Sequence, residues 1–289
     1  MELWALAVLN GLVIGAAYGL LGTSIVLIFK GSKIVSLAQG DIGMIGAFVY
    51  YTVATATDLP PLAAAAAGIV AAALLGLLLE RLAIRPLRTK GPEAPLMVTL
   101  AAGTLLQLIA VDIWGADAYY APPLVSWGGV QVGPLLVSGS QLLALGTVTI
   151  VVIVLGWMYN RSAWGLRLRA LAESAEAVEL LGISSARLGM GLWALGGALA
   201  ALAAILIAPL VSFEVLFMFY LLGRTLAAVV LGGMSRLVGV FVAAIVVAVA
   251  EQALVTALGA PTLVEIALVG ALVVGLLVAP KQRAESVTR

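Results

Sequence analysis

Four polar or charged side chains stand inside stretches that are otherwise apolar enough to cross a lipid bilayer. Gln39 and Asp41 lie in the segment IVSLAQGDIGMIGAFVYYTV, and Arg224 and Glu251 lie in two later apolar segments. A charge at the centre of a spanning helix costs about 2.5–3.5 kcal/mol on insertion scales, so such groups mark solute pathways or pair with one another. These residues are therefore candidates for lining or gating a pathway. The alternative is a structural ion pair between helices, in which Arg224 is the expected partner of Asp41.

Several kinds of chemistry are excluded by composition. The chain has no cysteine and no histidine, so thiol nucleophiles, Cys/His zinc sites and imidazole acid–base catalysis have no residues to act. None of its lysines stands in a G-x-x-x-x-G-K-[S/T] motif, the loop that cradles nucleotide phosphates. We therefore expect no catalytic, metal or cofactor site in this chain. If ATP drives it, a separate subunit must bind ATP and Mg²⁺.

The overall composition indicates an integral membrane protein. The 289 residues are 63% apolar and 10% charged, against about 25% charged for ordinary soluble domains. The mean hydropathy is +1.19. The net charge of +1 gives no basic footprint for a nucleic acid. We expect the partner surface to be a lipid bilayer rather than a polynucleotide.

Apolar segments of about 20 residues, the length that spans a bilayer, recur along the whole chain. They cover residues 3–29, 34–56, 62–79, 94–114, 141–159, 188–211, 213–234, 237–258 and, as a ninth candidate, 263–279. The segment 213–234 is the weakest, because it contains Glu214 and Arg224 and ends in Gly232-Gly233, so it is a candidate for a broken or re-entrant element. The sequence predicts an all-α polytopic membrane protein with roughly 8–9 transmembrane segments, forming one domain over residues 1–289.

The distribution of basic residues predicts the orientation. Lysine and arginine occur in the loops 30–33, 81–90, 161–187 and 281–289, whereas the loops 58–61 and 115–140 contain neither. Basic loops favour the cytoplasmic side of a membrane. This predicts an N-terminus outside, a cytoplasmic C-terminus and an outer loop over 115–140. Residues 3–29 lack a basic leader and exceed the apolar length of a secretory signal, so we expect a retained span.

The outer loop has a distinct texture. It contains Tyr119, Tyr120 and Trp127, and residues 130–132 alternate between apolar and polar side chains. Short strands or a small cap at the membrane interface are expected. Aromatic residues of this kind anchor proteins at the interface more often than they stack on a ligand, although both roles remain open.

The longest loop on the predicted cytoplasmic side, residues 160–187, contains a predicted amphipathic helix. Strong helix formers run from Arg169 to Leu181. Gly182 suits the position after a helix end, and Ser184 or Ser185 suits the N-cap of the next span. The apolar stripe comprises Leu171, Ala175, Val178 and either Leu181 or Leu180, and the other face carries Glu173, Glu176 and Glu179.

Two locations are open for this helix. It could lie on the membrane surface, or it could insert into a groove on a cytoplasmic partner. The acidic face disfavours the first location, because anionic lipids attract basic faces.

At this point four segments resemble the branched-chain amino acid ABC permease family, the membrane subunits of bacterial importers. They are NGLVIGAAYGLLGTSIVLI at 10–28, the small-residue block at 34–49, the region 169–206, and the region 223–251 with its Leu231-Gly232-Gly233. The matches cover most of the chain in the family's order. The chain departs from many members at Gln39, where they have histidine, and at 235–237, where they are glycine-rich.

The resemblance implies a type II ABC importer permease in the bacterial plasma (inner) membrane. Two permease subunits, usually paralogues, would form the path, two cytoplasmic ATPase subunits would dock below, and an extracytoplasmic solute-binding protein would deliver a small amino acid. The family carries a basic residue at the position of Arg224 and a glutamate at Glu251. Its ATPase-coupling helix maps onto Arg169, Leu171, Glu173, Glu176, Val178, Glu179, Leu181 and Gly182.

Other functions remain open on the residues alone. An ion-gradient-driven secondary transporter could use Asp41, Arg224 and Glu251 as coupling groups. The same ABC architecture could import urea or short amides. An intramembrane enzyme is disfavoured, because the chain offers neither histidine, cysteine nor a close aspartate pair.

Overall fold

The computed structural model describes residues 2–87, 90–91, 93–132, 135–234, 236–259 and 270. Within these ranges the protein is a bundle of helices with one small hairpin of strands. The helices are α1 (Glu2–Ser32), α2 (Gln39–Ala56), α3 (Pro61–Leu79), α4 (Arg85–Leu87), α5 (Glu93–Trp114), α6 (Gly139–Arg161), α7 (Ala163–Glu173), α8 (Ala175–Leu180), α9 (Ser185–Ile207), α10 (Phe217–Gly232) and α11 (Leu237–Leu258). A π-helical turn, Glu80–Ile84, joins α3 to α4 without a break.

The predicted all-α membrane fold is confirmed. Among the described residues, 6 helices are long and apolar enough to cross a membrane, namely α1, α3 with its extension to Leu87, α5, α6, α9 and α11. The expected 8–9 segments exceed this number. Two of the others correspond to α2, with 18 residues, and α10, with 16. At 1.5 Å per residue α10 is roughly 24 Å long, shorter than the roughly 30 Å hydrocarbon core. Apart from residue 270, the ninth candidate, 263–279, and the basic tail lie outside the described residues.

The bundle has a buried centre and an exposed periphery. The helices α1 and α9 are mostly buried within the chain, and α2 is buried along its first half. By contrast few residues of α5, α6 and α11 are buried within the chain. Exposed apolar helix faces are expected where lipid or another membrane subunit covers the protein. Most residues of α1, α9 and the first half of α2 are therefore shielded from lipid by the rest of the chain.

A line of glycines on α1 allows α11 to approach closely. A Cβ built on Gly15 would lie 2.8 Å from the Cα atom of Ile245, too close for any real contact. The four glycines meet residues of α11 in reversed order, so the two helices are antiparallel. The facing pairs are Gly11 with Val249, Gly15 with Ile245, Gly19 with Phe241 and Gly22 with Val240. Small residues spaced in this way let membrane helices pack backbone to backbone.

We expect the substitution Gly15→Ala to destabilise the chain by about 1–3 kcal/mol, because overpacking a close contact forces the helices apart. The matched control is Gly146→Ala on α6, where a built Cβ meets nothing within 4 Å. That change should be neutral or stabilising by up to about 1 kcal/mol, since alanine is the better helix former. Thermal unfolding of both purified variants measures the difference. Equal stabilities would contradict the close α1–α11 packing.

The predicted outer loop folds back onto the bundle. Strands β1 (Val130–Val132) and β2 (Leu135–Val137) form an antiparallel pair, which confirms the expected short strands. Before the strands, the backbone of Tyr119 exchanges hydrogen bonds of 2.8 and 2.9 Å with that of Phe213. Their rings join Phe48 and Tyr51 of α2 in one aromatic cluster. The segment therefore ties α5, α2 and the α9–α10 connection together at this end.

The loop 160–187 contains two helices, so the expectation of one unbroken helix from Arg169 to Leu181 is wrong. The helix α7 begins at Ala163, ends at Glu173, and is followed by Ser174 in an extended conformation (φ −152°, ψ 115°). The Ser174 N–H donates to Ala170 O at 3.0 Å, and its carbonyl accepts from Val178 N at 3.3 Å. A serine side chain can bond to nearby backbone groups in place of the helical bonds, so serine favours helix ends over helix interiors. Ser174 accordingly stands between the end of α7 and the start of α8.

The break also changes the apolar stripe. Leu171 and Val178 are buried within the chain, whereas Leu180 and Leu181 are 89% and 75% exposed. The predicted apolar stripe is therefore divided between the interior and the surface of the protein. Because the chain bends at Ser174, residues on either side no longer share one helical periodicity, and the leucine pair faces outward.

The predicted end of the helix is confirmed. Gly182 adopts a φ of +76°, the left-handed conformation that glycine tolerates. Its N–H donates to Glu179 O at 2.9 Å, and the N–H of Ile183 donates to Val178 O at 3.1 Å. These two bonds form a Schellman motif. Ser184 then caps α9 by accepting from the N–H of Arg187.

Candidate solute pathway and docking loop

The connection between α1 and α2 is buried rather than exposed. Residues 33–38 are non-helical, yet Ile34, Ser36 and Ala38 are buried. The predicted span from residue 34 therefore starts later, at Gln39. Irregular backbone at membrane depth is tolerated only where protein or water covers it. This arrangement places the first turn of α2, with Gln39 and Asp41, inside the protein.

The carboxylate of Asp41 packs against α5. Its Oδ1 atom accepts a hydrogen bond of 2.8 Å from Nε2 of Gln107 on α5. One turn earlier, Gly103 lacks the side chain that would collide with the other carboxylate oxygen. Asp41 also lies in the first turn of α2, where the positive end of the helix dipole favours a carboxylate.

The expected ion pair between Asp41 and Arg224 is wrong. The guanidinium NH1 of Arg224 lies 2.9 Å from Oε1 of Glu251, with the two side chains 27% and 6% exposed. The hydroxyl of Tyr18 donates to Oε2 of Glu251 at 3.2 Å and accepts from Arg224 at 3.3 Å. This cluster joins α10, α11 and α1. Arg224 and Glu251 lie on the consecutive helices α10 and α11, and Arg224 therefore pairs with Glu251 rather than with Asp41 on α2.

Tyr18 is a residue that the sequence analysis missed. It lies midway along α1 among apolar neighbours, where a tyrosine resembles an ordinary core aromatic. The available signal is its hydroxyl, because a buried tyrosine hydroxyl generally requires a hydrogen-bond partner. Gly103 was missed as well, since a single glycine in an apolar helix carries no sign of what faces it.

Gln39 is fully buried and, within the described residues, neither atom of its amide group has a hydrogen-bond partner. It lies against Gly196 of α9, whose built Cβ would be 3.2 Å from the amide nitrogen. Burying an amide without a partner costs about 1–3 kcal/mol. The position therefore favours a polar partner from outside the chain, such as water or a passing solute.

A cavity of about 250 Å³ lies between α5 and the connection that precedes α10. It has polar and apolar walls, formed by Thr104, Gln107, Leu108 and Val111 of α5 with Ala116, Glu214, Val215 and Leu216. Gln107 both lines this cavity and binds Asp41. It is the direct link between the cavity and the buried carboxylate.

The four predicted pathway residues thus fall into two clusters. Gln39 and Asp41 share the first turn of α2, whereas Arg224 and Glu251 bind each other. Within the described part of the chain, no hydrogen bond or ion pair joins one cluster to the other. In the same part, no group of three His, Cys, Asp or Glu residues could hold a metal ion.

The loop with α7 and α8 is anchored at one end and exposed at the other. Arg169 donates to Asn160 O at 3.4 Å and lies 5.7 Å from the ring of Tyr159. Lys30 at the end of α1 donates to the Tyr159 hydroxyl at 2.9 Å. The exposed side of the loop carries Glu173, Glu176, Glu179, Leu180, Leu181 and Gly182.

Ser185 at the start of α9 donates to the carboxylate of Glu179. With the Schellman motif, this bond holds α8 against the first turn of α9. The exposed residues Leu180 and Leu181 therefore belong to a segment whose position is fixed by hydrogen bonds to α9 and within the helix end.

The chain is similar to known membrane permeases. A family model described as a branched-chain amino acid transport system permease component matches residues 7–277. The high-affinity branched-chain amino acid transport system permease protein BraD of Pseudomonas aeruginosa is 28% identical over 255 residues, covering 84% of this chain and 83% of BraD. LivH proteins with the same description, from Escherichia coli K12 and Salmonella typhimurium, are 25% and 24% identical over the same shares of each chain. Solved structures give no significant match. Because the family model spans nearly the whole sequence, the chain belongs to the family of branched-chain amino acid transport system permease components.

Proposed function

We propose that this chain is one membrane subunit of an ATP-driven importer for branched-chain or other small amino acids, which moves its solute by alternating access. A second permease subunit, two cytoplasmic ATPase subunits and an extracytoplasmic solute-binding protein complete the importer. The chain forms a single transmembrane domain in the bacterial plasma membrane. Its N-terminus is outside and its C-terminus is cytoplasmic. Family membership and the multi-helix membrane fold support this proposal.

The single observation that carries the proposal is the loop of α7 and α8, which is anchored to the bundle and exposes its leucines and carboxylates. A coupling element must transmit force, so it needs a fixed support, and the bonds of Gly182, Ser184 and Ser185 supply one. It also needs a contact surface. Leu180 and Leu181 offer an apolar anchor beside exposed carboxylates, which suits a groove with an apolar floor and a basic rim.

The pathway follows from the cavity beside α5. An amino acid carries an ammonium group, a carboxylate and, in the branched-chain case, an aliphatic side chain. The carboxylate of Glu214 in the cavity wall suits the ammonium, as does that of Asp41, which lies beyond the wall on the lining residue Gln107. Leu108, Val111 and Val215 suit the aliphatic part. The outward face of α5 is mostly exposed, so a second permease subunit would close the cavity and complete the path.

The test is affinity purification from native membranes in mild detergent, followed by identification of bound proteins and an ATPase assay. We expect wild type to retain an ATPase in stoichiometric amount. The double variant E173K/E176K, which keeps the Glu179–Ser185 bond, and separately L180D/L181D, should lose at least about 90% of it, because like charges or buried carboxylates at an interface cost several kcal/mol. Each variant must also keep the wild-type melting temperature.

The matched control is Glu93→Lys, an exposed acidic residue at the start of α5 on the predicted cytoplasmic side. It should retain the ATPase. A chain that purifies alone, and that moves solute into liposomes on an ion gradient, would instead establish the secondary transporter.

A further inference from the structure

We propose that the groove between α3 and α5 is a binding site for an acyl chain of an anionic phospholipid, whose phosphate is held by Arg81 and Arg85. The site is independent of which solute the chain carries. It requires only that the helices stand in a bilayer.

The groove has the chemistry of a hydrocarbon site. It measures about 190 Å³, and all of its lining side chains are apolar. Leu75, Leu78 and Leu82 form one wall, and Ala102 and Leu105 belong to the other. Leu78, Leu82 and Leu105 are exposed, so the groove opens at the bundle surface rather than inside it. A helix is about 10–12 Å wide and cannot enter this volume, whereas an extended acyl chain can.

The groove also has the depth of one leaflet. Leu75 lies 12 residues before Leu87, the end of the helical extension, which is roughly 18 Å at 1.5 Å per residue. Half of a bilayer's hydrocarbon core is roughly 15 Å thick. An acyl chain that starts at the headgroup level of this helix end therefore reaches the floor of the groove. That floor includes Ile42, the neighbour of Asp41 in α2.

Charge selects the headgroup. Arg81 directly precedes the lining residues Leu82 and Ala83, Arg85 is one turn further on, and both are exposed. Neither makes an ion pair within the described part of the chain, whereas the neighbouring carboxylate of Glu80 is turned into the protein. Basic groups beside a gap between membrane helices attract anionic headgroups. Arg81 lies within the π-helical turn Glu80–Ile84 and Arg85 directly follows it, and such turns are frequent at functional sites.

The test uses the absence of cysteine in the chain. A cysteine introduced as Leu105→Cys, in the full chain with its partner subunits, carries a fluorophore, and quenching is titrated with brominated phosphatidylglycerol or phosphatidylcholine. We expect phosphatidylglycerol to quench at an at least fivefold lower mole fraction. The control label is Ile153→Cys on the exposed face of α6, where both lipids should quench alike.

Two further variants separate the headgroup from the chain. R81Q/R85Q should abolish the lipid preference while keeping quenching, and Ala102→Phe should fill the groove and prevent quenching at low mole fraction. Arg161→Gln, another exposed arginine at the same end of the bundle, should change neither. Equal quenching by both lipids in the labelled Leu105→Cys chain without further substitutions would overturn the proposal. A disulfide between the Leu105→Cys position and a neighbouring subunit would overturn it as well.

Discussion

Replacing Glu251 with leucine is expected to lower the free energy of unfolding by about 3 kcal/mol, and adding Arg224→Met is expected to restore most of that loss. Removing one partner of a buried ion pair leaves an uncompensated charge, which costs about 3–5 kcal/mol, whereas replacing both partners with apolar residues is often neutral. The lower end applies here, because the Arg224 side chain is 27% exposed and retains some solvation. Thermal unfolding of the single and double variants gives the coupling energy directly.

The control for this cycle is Tyr18→Phe, which removes only the hydroxyl that bonds to Glu251 and Arg224. It should cost about 1 kcal/mol, the net value of an ordinary hydrogen bond. Additive losses in the double variant would show that the pair is not coupled. A double variant that is stable yet transports more than tenfold slower would assign the pair to gating, whereas one that transports normally would assign it to structure alone.

Hydropathy was sufficient to locate the long helices. The helix α11 has the predicted bounds, Leu237–Leu258, and α5 begins one residue before the prediction at Glu93. Helices of this kind are determined by local composition, because lipid requires about 20 consecutive apolar residues with every backbone group bonded internally. Local chemistry also located the end of α8 at Gly182, since few residues other than glycine accept its positive φ.

Hydropathy failed where tertiary packing replaces lipid. Residues 34–38 are mostly apolar and were predicted to be helical, yet they form a largely buried, non-helical connection before α2. Apolar residues satisfy a protein interior as well as a membrane, so composition alone does not separate a buried loop from a helix. At Ser174 the error was different, because helix propensity summed over a window hid one residue that favours helix ends.

The hydrogen-bond and ion-pair partners of the charged residues could not be predicted from the sequence, for a related reason. Asp41 binds Gln107, which is 66 positions away, and the sequence carries no information about which helices are neighbours. The types of residue were correctly recognised, because buried polar groups in apolar segments are rare and costly. Their pairing depends on the order and rotation of the helices, which close glycine contacts set. The facing residues of those glycines become visible only in the folded chain.

Replacing Asp41 with asparagine is expected to slow transport by roughly ten- to a hundredfold while leaving the melting temperature and the retention of the ATPase unchanged. Asparagine keeps the shape of the side chain, and its Oδ1 atom can still accept from Gln107. The substitution removes only the negative charge, so it tests an interaction with the ammonium group of a passing amino acid. Hydrogen bonds to charged groups are worth about 1.5–3 kcal/mol, which corresponds to the stated range in rate.

The measurement is ATP-dependent uptake in proteoliposomes that contain the complete importer. Asp112→Asn is the matched control, because Asp112 is an exposed aspartate near the end of α5 and should tolerate the loss of charge. Uptake at the wild-type rate by the Asp41→Asn variant would show that the carboxylate only positions Gln107 and α2. A slow variant with normal ATPase activity would instead show that the charge acts on the solute. ATP would then be hydrolysed while the step that needs an ammonium partner fails.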